Sequence, residues 1–262
     1  MTTIRTLASG SSGNCILLSG GGEYLLVDAG ISCRRIAAAL AEDGLTPDDL
    51  SGVLITHEHG DHIAGLVTLT KRHHLPLYAS PGTADALCKL IPGASEVVHI
   101  LDPNQRFDLG AFTVDTFPTS HDAAEPMGFA LACEGRRAAV VTDLGYVSDD
   151  VLDGVLGCHL LLCEANHDVD LLRSGPYPYS LKQRILGDQG HLSNEAGAAL
   201  ALKCVEQGAR TVILAHLSAQ NNTPTKALAV VGDTLRAAGF DPERDVKVAA
   251  APRSRPSQVF EV

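Results

Sequence analysis

The sequence has no Cys-x-x-Cys pair, no apolar run approaching the roughly 18 residues of a membrane span, and no basic segment leading into an apolar one at its start. Its seven cysteines are odd in number and scattered, at Cys15, Cys33, Cys88, Cys133, Cys158, Cys163 and Cys204. That excludes a complete disulfide framework and argues against a structural zinc site; reduced, mostly buried thiols are expected, in a cytoplasmic protein with no membrane association. There is no convincing repeat of fixed period and no long polar tract, which argues against a solenoid and against disorder. Basic residues are few, 20 Lys and Arg against 31 Asp and Glu, for a net charge of −11. A protein that coats nucleic acid through a broad basic face is therefore disfavoured. A nuclease is not, because two bound divalent cations would offset roughly four negative charges where a phosphate must sit.

What is present is enough apolar material for a well-buried core: 262 residues, 45% hydrophobic and 19% charged, read as one compact domain over residues 1–262. Short apolar runs end in Gly, Asp, Pro or Ser and read as strands: Thr3–Leu7, Cys15–Leu18, Tyr24–Val27, Val53–Ile55, Phe112–Phe117, Gly128–Cys133, Ala138–Val141, Leu160–Cys163 and Thr211–Leu214. Apolar positions at three- and four-residue intervals predict helices over Ser32–Leu40, Ile63–His73, Thr83–Leu90, Asp149–Leu156, Ser180–Leu186, Asn194–Gln207 and Thr225–Ala238. A strand-rich start followed by alternating strands and helices points to an α/β fold with two sheets covered by outer helices. Composition alone does not separate this αββα arrangement from a doubly wound parallel sheet.

The segment Thr56-His57-Glu58-His59-Gly60-Asp61-His62 packs three imidazoles and two carboxylates into six residues directly after a predicted strand. In an extended segment His57 and His59 point the same way, because side chains alternate with period two. Asp61 and His62, at the turn into the next helix, then face a neighbouring point. Two adjacent sites with nitrogen and oxygen ligands follow, suited to Zn²⁺, Mn²⁺ or Fe rather than to a thiolate-bound metal. The further ligands they need are offered by His121, Asp143 and His216, each just after an apolar strand-like run.

His-x-His-x-Asp-His after a strand, followed by His, Asp and His at successive strand ends, resembles the metallo-β-lactamase superfamily over almost the whole chain. The resemblance implies an αββα metallo-β-lactamase sandwich, two mixed β-sheets flanked by helices. It also implies His57, His59 and His121 on one metal, Asp61, His62 and His216 on the other, and Asp143 bridging them. Asp28, ending the strand Leu25-Leu26-Val27, resembles the family's aspartate that orients the ligands of the cluster.

Other motifs narrow the resemblance. Ser9–Asn14 is a small-residue turn able to bring N–H groups and hydroxyls to an anion, with Ser9, Ser11, Ser12 and Asn14 as candidates. Gly190-His191-Leu192-Ser193-Asn194 sets a histidine beside a helix start, with Ser193 and Asn194 as further phosphate-binding candidates. Together with Cys163-Glu164-Ala165-Asn166-His167-Asp168, and with His216-Leu217-Ser218 and Asn221-Asn222, these motifs closely resemble the YycJ (WalJ)-type family. Those are cytosolic bacterial proteins regarded as 5′-to-3′ DNA exonucleases. RNase J-type nucleases carry a large inserted β-CASP-type domain, for which the span from Asp143 to His216 is too short.

The expected chemistry is a dinuclear phosphodiesterase acting on DNA, at the ends of a linear duplex or single strand. Two metals roughly 3.5–4 Å apart share a hydroxide that attacks the phosphodiester beside Asp143. Asp61 is a candidate to accept its proton, and His191 to contact the scissile phosphate or protonate the leaving oxygen. Glu164 and His167 are read as residues behind the ligands, His167 holding Glu164 or Asn166. Arg173, Lys182 and Arg184 around Tyr177-Pro178-Tyr179 form a patch able to grip a DNA backbone and stack an end base. The alternatives are a hydrolase of a small phosphodiester or thioester, which a deep narrow pocket would favour, and a non-catalytic metal-binding regulator.

Overall fold

The computed structural model describes residues 1–262 as four layers. The first sheet is built from β1 (Thr3–Ala8), β2 (Cys15–Gly20), β3 (Glu23–Val27), β4 (Gly52–Leu54), β5 (Leu77–Ala79) and β6 (Val98–Ile100). The second contains β7 (Arg106–Leu109), β8 (Phe112–Pro118), β9 (Met127–Cys133), β10 (Arg136–Val141), β11 (Leu160–Glu164), β12 (Thr211–Ala215) and β13 (Lys247–Ala250); the terminal β14 (Phe260–Glu261) returns to the first sheet beside β1. Both sheets are mixed: β3 to β6 and β10 to β13 run parallel, and the remaining neighbours pair antiparallel.

The layers follow from alternation along the strands. In β10, Ala138 and Val140 enter the core between the sheets while Ala139 and Val141 enter the core under the helices; in β3, Leu25 and Val27 face inward and Leu26 outward. Strands with both faces covered are apolar throughout. The outer layer of the first sheet is α1 (Cys33–Ala41), the one-turn α2 (Gly60–Ile63), α3 (Leu66–His73) and α4 (Pro81–Leu90). That of the second includes α5 (Asp149–Val155), α8 (Asn194–Glu206) and α9 (Pro224–Ala237), with α6 (Val169–Ser174) and α7 (Tyr179–Leu186) in the connection after β11. Side-chain oxygens of Ser32, Ser80, Ser148, Asp168, Ser193 and Thr223 accept a backbone N–H at the starts of their helices, satisfying donors that lack an intrahelical partner.

All nine expected strands are present. The helix expected over Ile63–His73 is interrupted before Leu66, because Gly65 N donates to Ala29 O at 2.8 Å. A Cβ at Gly65 would lie 2.4 Å from Ile31 O, so only glycine lets the β3–α1 connection approach there. Six cysteines are buried and Cys88 is exposed, none of them bonded. No helix is long and apolar enough to cross a membrane.

Candidate metal centre

The candidate ligands gather where the parallel strands end, the usual place for a site in an open α/β sheet. His57 to His62 follow β4, His121 follows β8, Asp143 follows β10, Glu164 ends β11 and His216 follows β12. Three residues at these strand ends, Asp28 (φ 61°), Asp143 (φ 58°) and His216 (φ 54°), have left-handed backbones. Asp and His enter this region more readily than most residues, at a cost of order 1–3 kcal/mol each that the surrounding fold must offset. Asp143 and His216 meet in one group of candidate ligands, and Asp28 stands behind them on His62 Nδ1.

Four overlapping groups result: His57, His59 and His121; Asp61, His62 and His216; His57, His62 and Asp143; and Asp143, Glu164, His191 and His216. Within each, one potential ligand atom per residue lies within 4.8 Å of the others. His62 Nε2 is 3.3 Å from Asp143 Oδ2, His121 Nε2 is 3.8 Å from Asp143 Oδ1, and His216 Nε2 is 3.3 Å from Asp61 Oδ2.

The imidazoles are aimed from behind. His62 Nδ1 is held by Asp28 Oδ2 at 2.7 Å, His121 Nδ1 by Gly190 O at 3.0 Å and His216 Nδ1 by Glu164 Oε1 at 3.0 Å. His57 Nδ1 meets the Thr56 hydroxyl at 3.0 Å, and that hydroxyl donates to Asp28. Acceptors on Nδ1 fix the tautomer that leaves Nε2 with a free lone pair, the outer arrangement that orients metal-bound histidines. Two buried atoms at the centre, His57 Nε2 and Asp143 Oδ2, have no hydrogen-bond partner. Buried polar atoms are nearly always satisfied, so these orphans and the hard N/O donor set fit a pair of divalent cations.

The electrostatics agree. Burial alone would lower the affinity of His216 for a proton, but Asp143, Asp61 and Glu164 outweigh it and push the pKa up to about 10. His62 is likewise raised well above its ordinary value against its burial, by Asp28 and Asp143. His57 and His121 are lowered, chiefly by burial. Burial would raise Asp143 and Glu164; the surrounding histidines instead hold Asp143 well below the carboxylate range and bring Glu164 to about 2. With Asp143 and Glu164 ionised, His62 and His216 take up protons where cations are absent, and cations displace those protons.

Glu164 is fully buried and central. Its Oε1 lies 2.7 Å from His191 Nδ1 as well as against His216, and its Oε2 accepts Leu192 N at 2.9 Å and Leu144 N at 3.3 Å. His191 stacks on His216 with ring centroids 5.2 Å apart.

Several expected site residues face elsewhere. Ser9 is buried, and its hydroxyl accepts His216 N at 2.8 Å, steadying the backbone of that candidate ligand rather than meeting an anion. Asn14 is also buried: its carbonyl accepts Gly10 N, and its amide lies 3.0 Å from His62 Nε2. Ser11 and Ser12 are the exposed members of that turn. Ser193 is committed to capping α8, and Asn194 pairs with Asn222 in the interior. His167 does not hold Glu164 or Asn166, because neither of its buried ring nitrogens has a partner. Lys182 turns back to Arg173 O, and Arg184 makes a two-point ion pair with Asp122. Tyr179 is 77% exposed.

A polar depression of about 870 Å³ opens to solvent beside His121, with Ser120, Asp122, Tyr146, Gln183, Arg184 and Asp188 on its walls. Sequence reading missed Tyr146, whose only signal is that it follows Asp143-Leu144-Gly145.

Residues 23–217 match the family described as Beta-lactamase superfamily domain. Exodeoxyribonuclease YycJ of Bacillus anthracis is 40% identical over 237 residues, 89% of each chain. The chain belongs to the YycJ/WalJ family of the metallo-β-lactamase superfamily. Exodeoxyribonuclease WalJ of Streptococcus pneumoniae serotype 2 (strain D39) is likewise 40% identical over 245 residues, 92% of this chain and 91% of WalJ. The fold of this YycJ/WalJ member is that of YhfI from Bacillus subtilis, a metallo-β-lactamase fold protein (TM-score 0.71, 17% identity, all of both chains).

Proposed function

We propose that this chain is a dinuclear metal-dependent exodeoxyribonuclease. The observation that carries this reading is the gathered donor set, His57, His59 and His121 beside Asp61, His62 and His216, with Asp143 grouped with members of both triads, at the edge of an open polar depression. Identity to YycJ and WalJ over about nine-tenths of the chain supports DNA as the substrate. An enclosed pocket would have favoured a small phosphodiester or thioester, and a regulator that had lost catalysis would have had no need to keep both triads.

In this reading His57, His59 and His121 hold one cation, Asp61, His62 and His216 the other, and Asp143 both. When bound, the two cations supply Lewis acidity, drawing charge from the phosphoryl oxygens and acidifying water. Zn²⁺, Mn²⁺ and Fe²⁺ all suit an all-His/Asp set. Asp61, partly exposed, is the carboxylate able to take a proton from the attacking water. His191 donates its Nδ1–H to Glu164, and in its imidazolium form, which Glu164 favours, it also carries a proton on Nε2 for the leaving oxygen. His191→Ala therefore retains its metal, as read by elemental analysis, while turnover falls at least tenfold, about 1.4 kcal/mol of barrier. Unaltered turnover would remove His191 from the reaction.

The test of the function is degradation of end-labelled linear duplexes, with and without a 5′-phosphate, by protein loaded separately with Mn²⁺, Zn²⁺ and Mg²⁺. Metal-dependent shortening from the 5′ end, lost in His59→Ala, is expected. Inertness toward every DNA would return the choice to a small phosphodiester or thioester.

A further inference from the structure

Resting on the exonuclease reading, we propose that the depression beside His121 is a subsite for the base and sugar of the nucleotide next to the scissile bond, with Tyr146 as its stacking face. Three observations lead there. The depression shares His121 with the candidate ligand set, so a group that fills it lies next to a group at the metals. Its volume of about 870 Å³ lies within the roughly 300–1,000 Å³ of pockets that enclose small-molecule ligands, room enough for a nucleoside.

The second observation is charge. The formal charges on the walls are Asp122, Asp188 and Arg184, and Arg184 is already occupied by Asp122, its Nη2 donating to Oδ1 at 2.9 Å. A phosphate gains nothing in such surroundings. A neutral base, edged with donors and acceptors, finds partners in Gln183, Gln189 and Thr119. The phosphate belongs at the cations and the nucleoside in the depression.

The third is the placement of Tyr146. Its backbone is fastened to the His121 loop: Tyr146 N donates to Ser120 Oγ at 3.2 Å, Ser120 Oγ to Tyr146 O at 3.0 Å, and Gly145 N to Ser120 O at 2.8 Å. Its side chain is half exposed, though it is the only aromatic ring besides His121 on these walls. A half-exposed ring carried on a fastened backbone beside the candidate metal centre serves any base, because every base presents a π-face, so the subsite is sequence-tolerant.

The experiment compares release of the terminal nucleotide from 5′-phosphorylated single strands that end in a normal or an abasic nucleotide. In parallel, calorimetry measures binding of deoxyadenosine 5′-monophosphate and of deoxyribose 5-phosphate to the metal-loaded protein. The wild type is expected to favour the ligand with a base at least tenfold in both measurements, within the range one stacked base contributes. Tyr146→Ala brings the preference below threefold and Tyr146→Phe keeps it. Equal treatment of the two ligands by the wild type, or a preference that survives Tyr146→Ala, overturns the subsite. If DNA stays uncut while base-dependent binding through Tyr146 persists, the exonuclease reading falls and the nucleoside site stands; if both are absent, both fall.

Discussion

Asp143→Asn lowers turnover at least a thousandfold, about 4 kcal/mol of barrier, and removes most of the thermal stabilisation that divalent cations give the protein. Asp143 is the aspartate that belongs both to the group with His57 and His62 and to the group with His216, and its carboxylate is buried with Oδ2 unpartnered. Losing its charge weakens both cation sites together. Asparagine is the informative replacement, because like aspartate it tolerates the left-handed backbone at this position (φ 58°), so the fold is not also strained. With free metal a thousandfold above Kd, binding to the folded state alone adds about 4 kcal/mol of stability. For a protein of this size that corresponds to a rise in Tm on the order of 10 °C. Differential scanning calorimetry with and without Mn²⁺ should find that rise in the wild type and only a small part of it in the variant. A full metal-dependent rise in Asp143→Asn would mean that Asp143 does not hold both ions.

The residues of the candidate metal centre were legible because their signal is local. His57, His59, Asp61 and His62 lie within six residues, and His121, Asp143 and His216 each follow a strand that its own apolar run announces. The two-sheet order was legible only through those motifs, because the run of strands and helices alone also fits a doubly wound parallel sheet. Short edge strands such as Val98–Ile100, Arg106–Leu109 and Phe260–Glu261 were not, since two to four residues of mixed polarity carry no period and pair only because a neighbour is there. The direction of polar side chains was equally hidden. Ser9, Asn14 and Asn194 read as anion-binding groups from their company of Gly and Ser, yet each is turned inward by a partner distant in sequence: His216 N, His62 and Asn222. The interruption before Leu66 depends on Ala29 and Ile31 approaching Gly65, more than thirty residues away in the chain, and a helical period has no term for such an encounter.

Glu164 is the residue whose importance the structure raises most, and Glu164→Gln is expected to lower turnover roughly 10–100-fold with the metal-ligand set itself untouched. Its two oxygens receive four nitrogens: His191 Nδ1 and His216 Nδ1 on one, Leu144 N and Leu192 N on the other. A carboxylate satisfies all four. An amide does not in either orientation, because its NH₂ must face one pair of donors, leaving buried groups unsatisfied at a cost of about 1–3 kcal/mol. The substitution also has a signature in pH. Burial by itself lowers the pKa of His191; the charge and hydrogen bond of Glu164, with Asp143, outweigh this and raise it. Neutralising Glu164 removes that support, and the pKa of His191 falls. If protonated His191 supplies the leaving oxygen with its proton, activity exists below that pKa and is lost above it, so the alkaline limb of the pH–rate profile moves to lower pH in Glu164→Gln and vanishes in His191→Ala. Profiles of kcat for the wild type and both variants, at saturating metal, decide the matter: an alkaline limb that stays in place in Glu164→Gln would separate Glu164 from the proton and leave it only the work of orienting His216.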